Sequence, residues 1–305
     1  MSMNPSSNAM QTRQTPRFSV AIQTKGYQDM INNTLKDPKR QHRYVAAITS
    51  AVATNPALQE CDAATILAGS LLGESLNFAH SPQLGQYYLV PFDDKRRGCK
   101  VAQFIMGYRG FLQLAIRSGK YKRINVLPIK QGELKHYSRL TGEIEVEEIQ
   151  DDIVREATPT MGYYAMFELT DGFRKEIYWS YEKMLAHADR YSAAFSAVKY
   201  KELLDGKVPE RDLWKYSSFW YKDFDAMACK TMLRQLISKW GVMSIELQQA
   251  FDADGYVVSQ DKNGEFVADT SAQLSAEIEE RQGKAASQTS VDPEPQAEEI
   301  DLNSL

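Results

Sequence analysis

Two short apolar runs, Tyr87–Phe92 and Val101–Met106, flank the polar segment Asp93-Asp94-Lys95-Arg96-Arg97-Gly98. Runs of this length, rich in aromatic and β-branched residues, read as strands, and a polar turn between them reads as the tip of a hairpin. The tip is charged.

Helical spacing surrounds that hairpin. A helical segment is expected between Tyr27 and Tyr44, interrupted near Asp37-Pro38, because the residue before a proline resists helical dihedrals. Asp62 is placed to cap a run whose apolar positions Ala64, Leu67, Ala68, Leu71 and Leu72 share one face, ending near Phe78. After the second strand, Gly107-Tyr108-Arg109-Gly110 is expected to break the chain, and Phe111 to Ser118 reads as a short helix closed by Gly119. Ile124 to Ile129 is a further strand. Tyr163–Leu169 and Phe173–Trp179 form a second hairpin around Thr170-Asp171-Gly172, where glycine supplies the positive φ of a tight turn. Ser180 should cap a helix running to about Tyr191. Residues 192–216, with Gly206 and Pro209, read as a long mobile excursion. A last helix is predicted from about Ser218 to Lys239, with Trp240-Gly241 ending it and Lys239 at the negative end of its dipole. The fold class is α+β: a small antiparallel or mixed sheet with hairpins packed on helices.

Charge divides the chain. The net charge of -4 conceals residues 95–135, with eleven Lys or Arg against Glu133 alone, and residues 252–305, with thirteen acids against Lys262, Arg281 and Lys284. Three regions follow: a flexible arm over 1–24, a folded domain over 25–250 that carries the basic segments, and an acidic, largely disordered tail over 251–305 that docks a partner or shields the basic surface.

Several function classes are disfavoured. No run of about 18 apolar residues occurs and the first twenty residues lack a signal-peptide core, so the chain reads as cytosolic. Cys61, Cys99 and Cys229 are odd in number and widely spaced, which points to buried, reduced thiols rather than a disulfide framework. His42, His80, His136 and His187 show no metal-ligand spacing. Gly119-Lys120, Gly206-Lys207 and Gly283-Lys284 are followed by Tyr121, Val208 and Ala285 instead of the Ser or Thr of a phosphate-binding loop. Glu143, Glu145 and Glu147 share a strand face that resembles a metal site for nuclease chemistry, yet neighbouring glutamates on one strand more often form a solvated edge.

The basic segments carry the positive case. Arg109, Gln113 and Arg117 are four residues apart and share a helix face, with Leu112, Ala115 and Ile116 towards the core. Lys120, Lys122 and Arg123 follow at once with Tyr121 among them, a mixture suited to gripping phosphates beside an aromatic stacking surface; the bland alternative is a solvated amphipathic helix followed by a surface turn. Lys222, Lys230 and Arg234 fall on one face of the last helix, with Ala226 between them. Trp214, Tyr216, Phe219, Trp220 and Tyr221 lie around its start, most of them expected in packing. Two basic faces suit a groove for a polyanion better than either suits a solvated surface.

At these residues the chain resembles the RecT family of phage annealing proteins. The resemblance is carried by Asn55-Pro56-Ala57-Leu58 with Cys61, by Leu84-Gly85-Gln86-Tyr87-Tyr88-Leu89-Val90-Pro91-Phe92, and by Gln103-Phe104-Ile105-Met106-Gly107-Tyr108-Arg109-Gly110. It continues through Leu114-Ala115-Ile116-Arg117-Ser118-Gly119 and Ala228-Cys229-Lys230-Thr231-Met232-Leu233-Arg234-Gln235-Leu236, followed by Ser244-Ile245-Glu246. These blocks keep their order over roughly residues 45–250. The resemblance implies an annealing fold shared with Redβ, with subunits in rings or helical filaments that lay single-stranded DNA in a positive groove and hold an annealed duplex intermediate. It also implies action without ATP or another cofactor, magnesium assisting, alongside a phage exonuclease and the single-strand-binding protein of a bacterial host. By it, DNA contact is expected at Arg109, Arg117, Lys230 and Arg234, and by proximity at Lys120, Lys122, Arg123 and Lys222. Tyr108, Gln113 and the hairpin-tip cations Lys95, Arg96, Arg97 and Lys100 complete the candidate set. The rival readings are a protein that coats single strands without pairing them, and a metal-dependent nuclease.

Overall fold

The computed structural model describes residues 17–192, 194–261 and 264–269. Helices α1 (Phe18–Ala21), α2 (Lys25–Thr34), α3 (Pro38–Ala53) and α4 (Pro56–Gln59) lead into α5 (Ala63–Ser75). Phe18 and Ile22 are buried, so the folded region begins inside the stretch expected as a flexible arm. Asp37 and Pro38 end one helix and start the next. The Asp37 carboxylate accepts the Lys39 amide at 3.0 Å, and Pro38 takes the first helical position, where a missing N–H goes unmissed. Asp62 caps α5 on Ala64 as expected. That helix departs from a single apolar face: every residue from Thr65 to Gly73 is buried. It runs between two cores, with Ile66, Leu67 and Leu71 packed among α1–α4, and Ala68 and Leu72 facing the elements that follow.

The expected hairpin is β1 (Tyr87–Asp94) with β2 (Cys99–Met106), in register from Tyr87 opposite Met106 to Asp94 opposite Cys99. Pro91 is tolerated because β1 is an edge strand. Next come α6 (Tyr108–Arg117), β3 (Tyr121–Lys130), β4 (Leu134–Tyr137), β5 (Ile144–Val146), α7 (Asp152–Ala157), β6 (Thr160–Leu169), β7 (Arg174–Ser180) and α8 (Tyr181–Tyr191). They are followed by α9 (Ala197–Leu204), α10 (Phe219–Lys222), α11 (Phe224–Trp240), α12 (Ile245–Ala253), β8 (Tyr256–Gln260) and β9 (Phe266–Asp269). One sheet has the order β1-β2-β8-β9, a second β3-β6-β7, and β4 pairs with β5 alone. The architecture is the α+β mix anticipated from the sequence.

Five local expectations are corrected. Tyr108, Arg109 and Gly110 belong to α6, whose N-cap is Gly107, rather than to a break before it. The strand expected over Ile124–Ile129 is longer: β3 starts at Tyr121, so Lys122 and Arg123 lie in it. Residues 192–216 are not a bare loop: they hold α9 and the 3-10 segment Glu210–Tyr216, and Phe195 and Tyr200 are buried in an aromatic cluster with Trp220 and Phe224. The long last helix is two helices. Asp223 leaves helical geometry at φ -150° and its carboxylate caps α11 on Ala226, so Lys222 sits on α10 and does not share a helix with Lys230. Lastly, α12, β8 and β9 lie beyond residue 250, with β8 paired to β2, so folded structure reaches Asp269; positions 270–305 of the expected tail are outside the described residues.

Of the cysteines only Cys61 is buried, whereas Cys99 is exposed at the hairpin. The acidic strand β5 is an edge with Glu145 exposed, and Glu147 pairs with Lys135 at 2.9 Å. Among the described residues no three His, Cys, Asp or Glu side chains are arranged to hold a metal ion. No described helix is long and apolar enough to cross a membrane.

Candidate nucleic-acid interface

Helix α11 divides two cores. Leu233 and Ile237 pack with α5, α6 and α12, while Ala228, Met232 and Leu236 pack with β6 and α8. A helix clamped on both sides holds the rest of its side chains rigidly, and Lys230 and Arg234, one turn apart, project from its flank.

Asp254, after the end of α12, organises that flank. Its Oδ2 accepts the Arg234 Nε at 3.1 Å, and its Oδ1 accepts the Met106 amide at 2.9 Å and lies 3.9 Å from the Lys230 ammonium. Met106 ends β2, immediately before Gly107 and the first turn of α6. The two basic segments, more than a hundred residues apart in sequence, are therefore joined through one carboxylate. The Lys230 side chain is 15% exposed, and burial pushes its pKa below the usual lysine value, with Asp254 opposing and Arg234 adding to the shift. The Arg234 guanidinium stands 5.6 Å over the Phe251 ring. Burial, then the neighbouring Cys229 of α11, pushes the Tyr108 phenol up, which places the start of α6 against the same stretch of α11.

Glycines set how the first turn of α6 is seated. A Cβ at Gly107 would stand 1.9 Å from the Gly85 carbonyl oxygen, and one at Gly110 would stand 2.1 Å from that of Gln86. With hydrogen in those places the turn lies on residues 85–86, and the Gly107 amide donates to the Gln86 carbonyl at 2.8 Å. The Arg109 stem then passes over Gly85 and its head is exposed. Tyr88 and Phe219 approach each other at 6.3 Å, Phe219 being 62% exposed, so α10 with exposed Lys222 borders this region.

Other candidate residues have different surroundings. Arg117 donates to the carbonyls of Leu76 at 2.7 Å and Asn77 at 2.9 Å, closing the end of α5. Gln113 is half-buried between Arg109 and Arg117. Ile116, expected towards the core, is 60% exposed. Lys122 is bound to Glu168 at 2.6 Å with Arg123 3.8 Å from the same carboxylate, and the Lys122 hydrogen bond holds Glu168 below the usual carboxylate range. Lys120 is exposed. The hairpin tip lies at the opposite end of β1 and β2 from Met106, seven residue steps or about 23 Å away. There Arg96 and Arg97 pair with Asp269, and Lys100 pairs with Glu60 at 2.5 Å; Lys95 also has a contact.

Two features were not read from the sequence. Asp254 carried no signal beyond preceding a glycine in an acidic stretch. An open groove of about 670 Å³ between α6 and the β3–β6 pair is lined by Leu112, Ile116, Ile124, Tyr164 and Met166, with Lys122 and Arg123 beside them. The adjacent Lys122 and Arg123 leading into Ile124 and Val126 of β3 were its available sign.

The profile of the RecT family matches residues 42–269, a stretch containing every residue of this site. The chain belongs to the RecT family. It is 33% identical over 263 residues, 86% of this chain and 78% of the relative, to the uncharacterized protein YqaK of Bacillus subtilis strain 168. It is 28% identical over 216 residues, 70% of either chain, to protein RecT of Escherichia coli strain K12. RecT family membership supports a protein of recombination and strand annealing.

Proposed function

We propose that this protein binds single-stranded DNA without sequence preference and anneals complementary strands without ATP. The observation that carries the reading is the Asp254 junction, which sets the exposed start of α6 beside the cationic flank of α11. Arg109 and Arg234 neutralise backbone phosphates, and Lys230, largely buried beside Asp254, adds positive field with little conformational freedom to lose. Phe219 and Tyr88 supply aromatic surface at the border, where stacking is indifferent to base identity. A strand held by its phosphates leaves base edges available to a complement, and base pairing supplies the selectivity and the driving force.

The reading extends to the assembly: copies of the chain align their sites along one strand, gaining affinity by repetition. An exonuclease exposing single strands is the expected partner, a host single-strand-binding protein a second, and the bacterial cytoplasm the expected setting. Lys120, Lys122, Arg123 and Lys222 flank the path, and Arg117 contributes by holding the end of α5.

The test is one assay with purified protein, complementary oligonucleotides and magnesium, without ATP. Accelerated duplex formation is expected. Coating without pairing would leave only single-strand binding, and shortened products would replace the reading with a nuclease.

A further inference from the structure

Four cations outside the site share one surface: Arg139 in the β4–β5 connection, Lys175 on β7, Lys183 on α8 and Lys239 in the last turn of α11. Strand alternation puts Lys175, Ile177 and Trp179 on the same side of β7, and Ile177 and Trp179 pack into the core that α8 and α11 cover. The Lys183 ammonium lies 4.2 Å over Trp179 and that of Lys175 lies 4.4 Å over Trp240. A Cβ at Gly142 would stand 3.6 Å from the Lys175 ammonium, so the β4–β5 connection runs alongside. None of the four is ion-paired to a described residue. Burial, then the fields of Lys239 and Arg139, pushes Lys183 below the usual lysine range. Like charges gathered without counterions repel, and a fold that holds them together anyway offers an anion a ready site.

This surface continues from the first site. Burial, then Arg234 and Lys183 together, lowers the pKa of His187, so its ring lies within the field of both. It is neutral at physiological pH and lies edge-on to Trp179 at 5.3 Å and tilted against Tyr191 at 4.6 Å, an aromatic step between two cationic ones. From Arg234 to Lys239 is about 7.5 Å along the helix axis.

We infer that Arg139, Lys175, Lys183 and Lys239 form a second backbone site that holds further phosphates of the same strand lying across Arg109 and Arg234. The inference rests on the single-strand-binding reading and adds to it the direction the strand takes, along α11 towards Trp240.

The test replaces all four residues by Gln, which keeps much of the stems over the indoles, and measures fluorescence anisotropy with labelled oligothymidylates of about five and about twenty nucleotides against salt. The long oligonucleotide should bind about tenfold more weakly, with a salt slope lowered by about 0.7 for each phosphate no longer neutralised. The short one should change by about twofold or less. The double variant Arg139→Gln/Lys239→Gln, at two exposed positions, guards against misfolding and should lose about threefold on the long oligonucleotide. Unchanged long-oligonucleotide affinity and slope in both variants would overturn the inference. Unchanged single-strand affinity with slowed annealing would assign the surface to the incoming strand and overturn it too. Failure of the unmodified protein to bind either oligonucleotide would instead remove the reading on which it rests.

Discussion

Asp254 accepts the backbone amide of Met106 at 2.9 Å, tying the strand end that precedes α6 to the carboxylate that faces Lys230 and Arg234. One side chain thus fixes the relative position of two cationic segments and offsets the charge that brings them together. Its removal leaves Lys230 largely buried without its nearest counter-charge. Asp254→Ala should therefore lose about 3 kcal/mol of stability, read as a lower urea midpoint. Asp254→Asn, which retains an acceptor for Met106, should fall between it and the unmodified protein. An unchanged midpoint for the alanine variant would contradict this role.

Gly107 should tolerate no side chain, because a methyl there would meet the Gly85 carbonyl at 1.9 Å. Gly119→Ala, with open space around it, meets only the strain of a φ of +66°, about 1 kcal/mol. Gly107→Ala should lower the thermal midpoint clearly more than Gly119→Ala. Equal losses would show that α6 can be seated in another way.

The contrast between these glycines marks what was legible in the sequence. Gly119 closes α6, Asp62 caps α5 and Ser180 caps α8 through contacts within a few residues, and the two hairpins declare themselves by local alternation. What depended on distant partners was not legible. The close approach at Gly107 needs Gly85, the order of residues 194–216 needs Trp220 and Phe224 to receive Phe195, and Asp254 acts on a residue 148 positions away. The same holds for the cations. Lys122, Arg123, Arg96 and Arg97 read as free positive charge until Glu168 and Asp269 are seen beside them.

Arg117 distinguishes holding the fold from holding DNA. Arg117→Ala leaves the carbonyls of Leu76 and Asn77 without their donor and should cost about 2 kcal/mol in chemical denaturation. Single-strand affinity of the folded variant should fall less than that of Arg109→Ala. A larger affinity loss at Arg117 would make it a direct phosphate contact.

Lys230 gives the site an alkaline signature. Its folded pKa lies below the unfolded value of 10.5, so between the two the unfolded chain binds more protons and the group's contribution to stability rises with pH. The advantage of Lys230→Met over the unmodified protein, present while the buried ammonium is charged, should shrink as pH approaches 10.5. Single-strand affinity should move oppositely, weakening over that range in the unmodified protein but not in Lys230→Arg, whose charge persists. Parallel pH profiles for the three proteins would refute the assignment.

The most direct test of the central claim, that Arg109 on α6 and Arg234 on α11 grip one strand, is the salt dependence of single-stranded DNA binding for Arg109→Ala, Arg234→Ala and the double variant. Each single change should reduce the slope of log affinity against log salt by about 0.7, and the double change by about twice that. Slopes and affinities equal to those of the unmodified protein in all three variants would contradict the account.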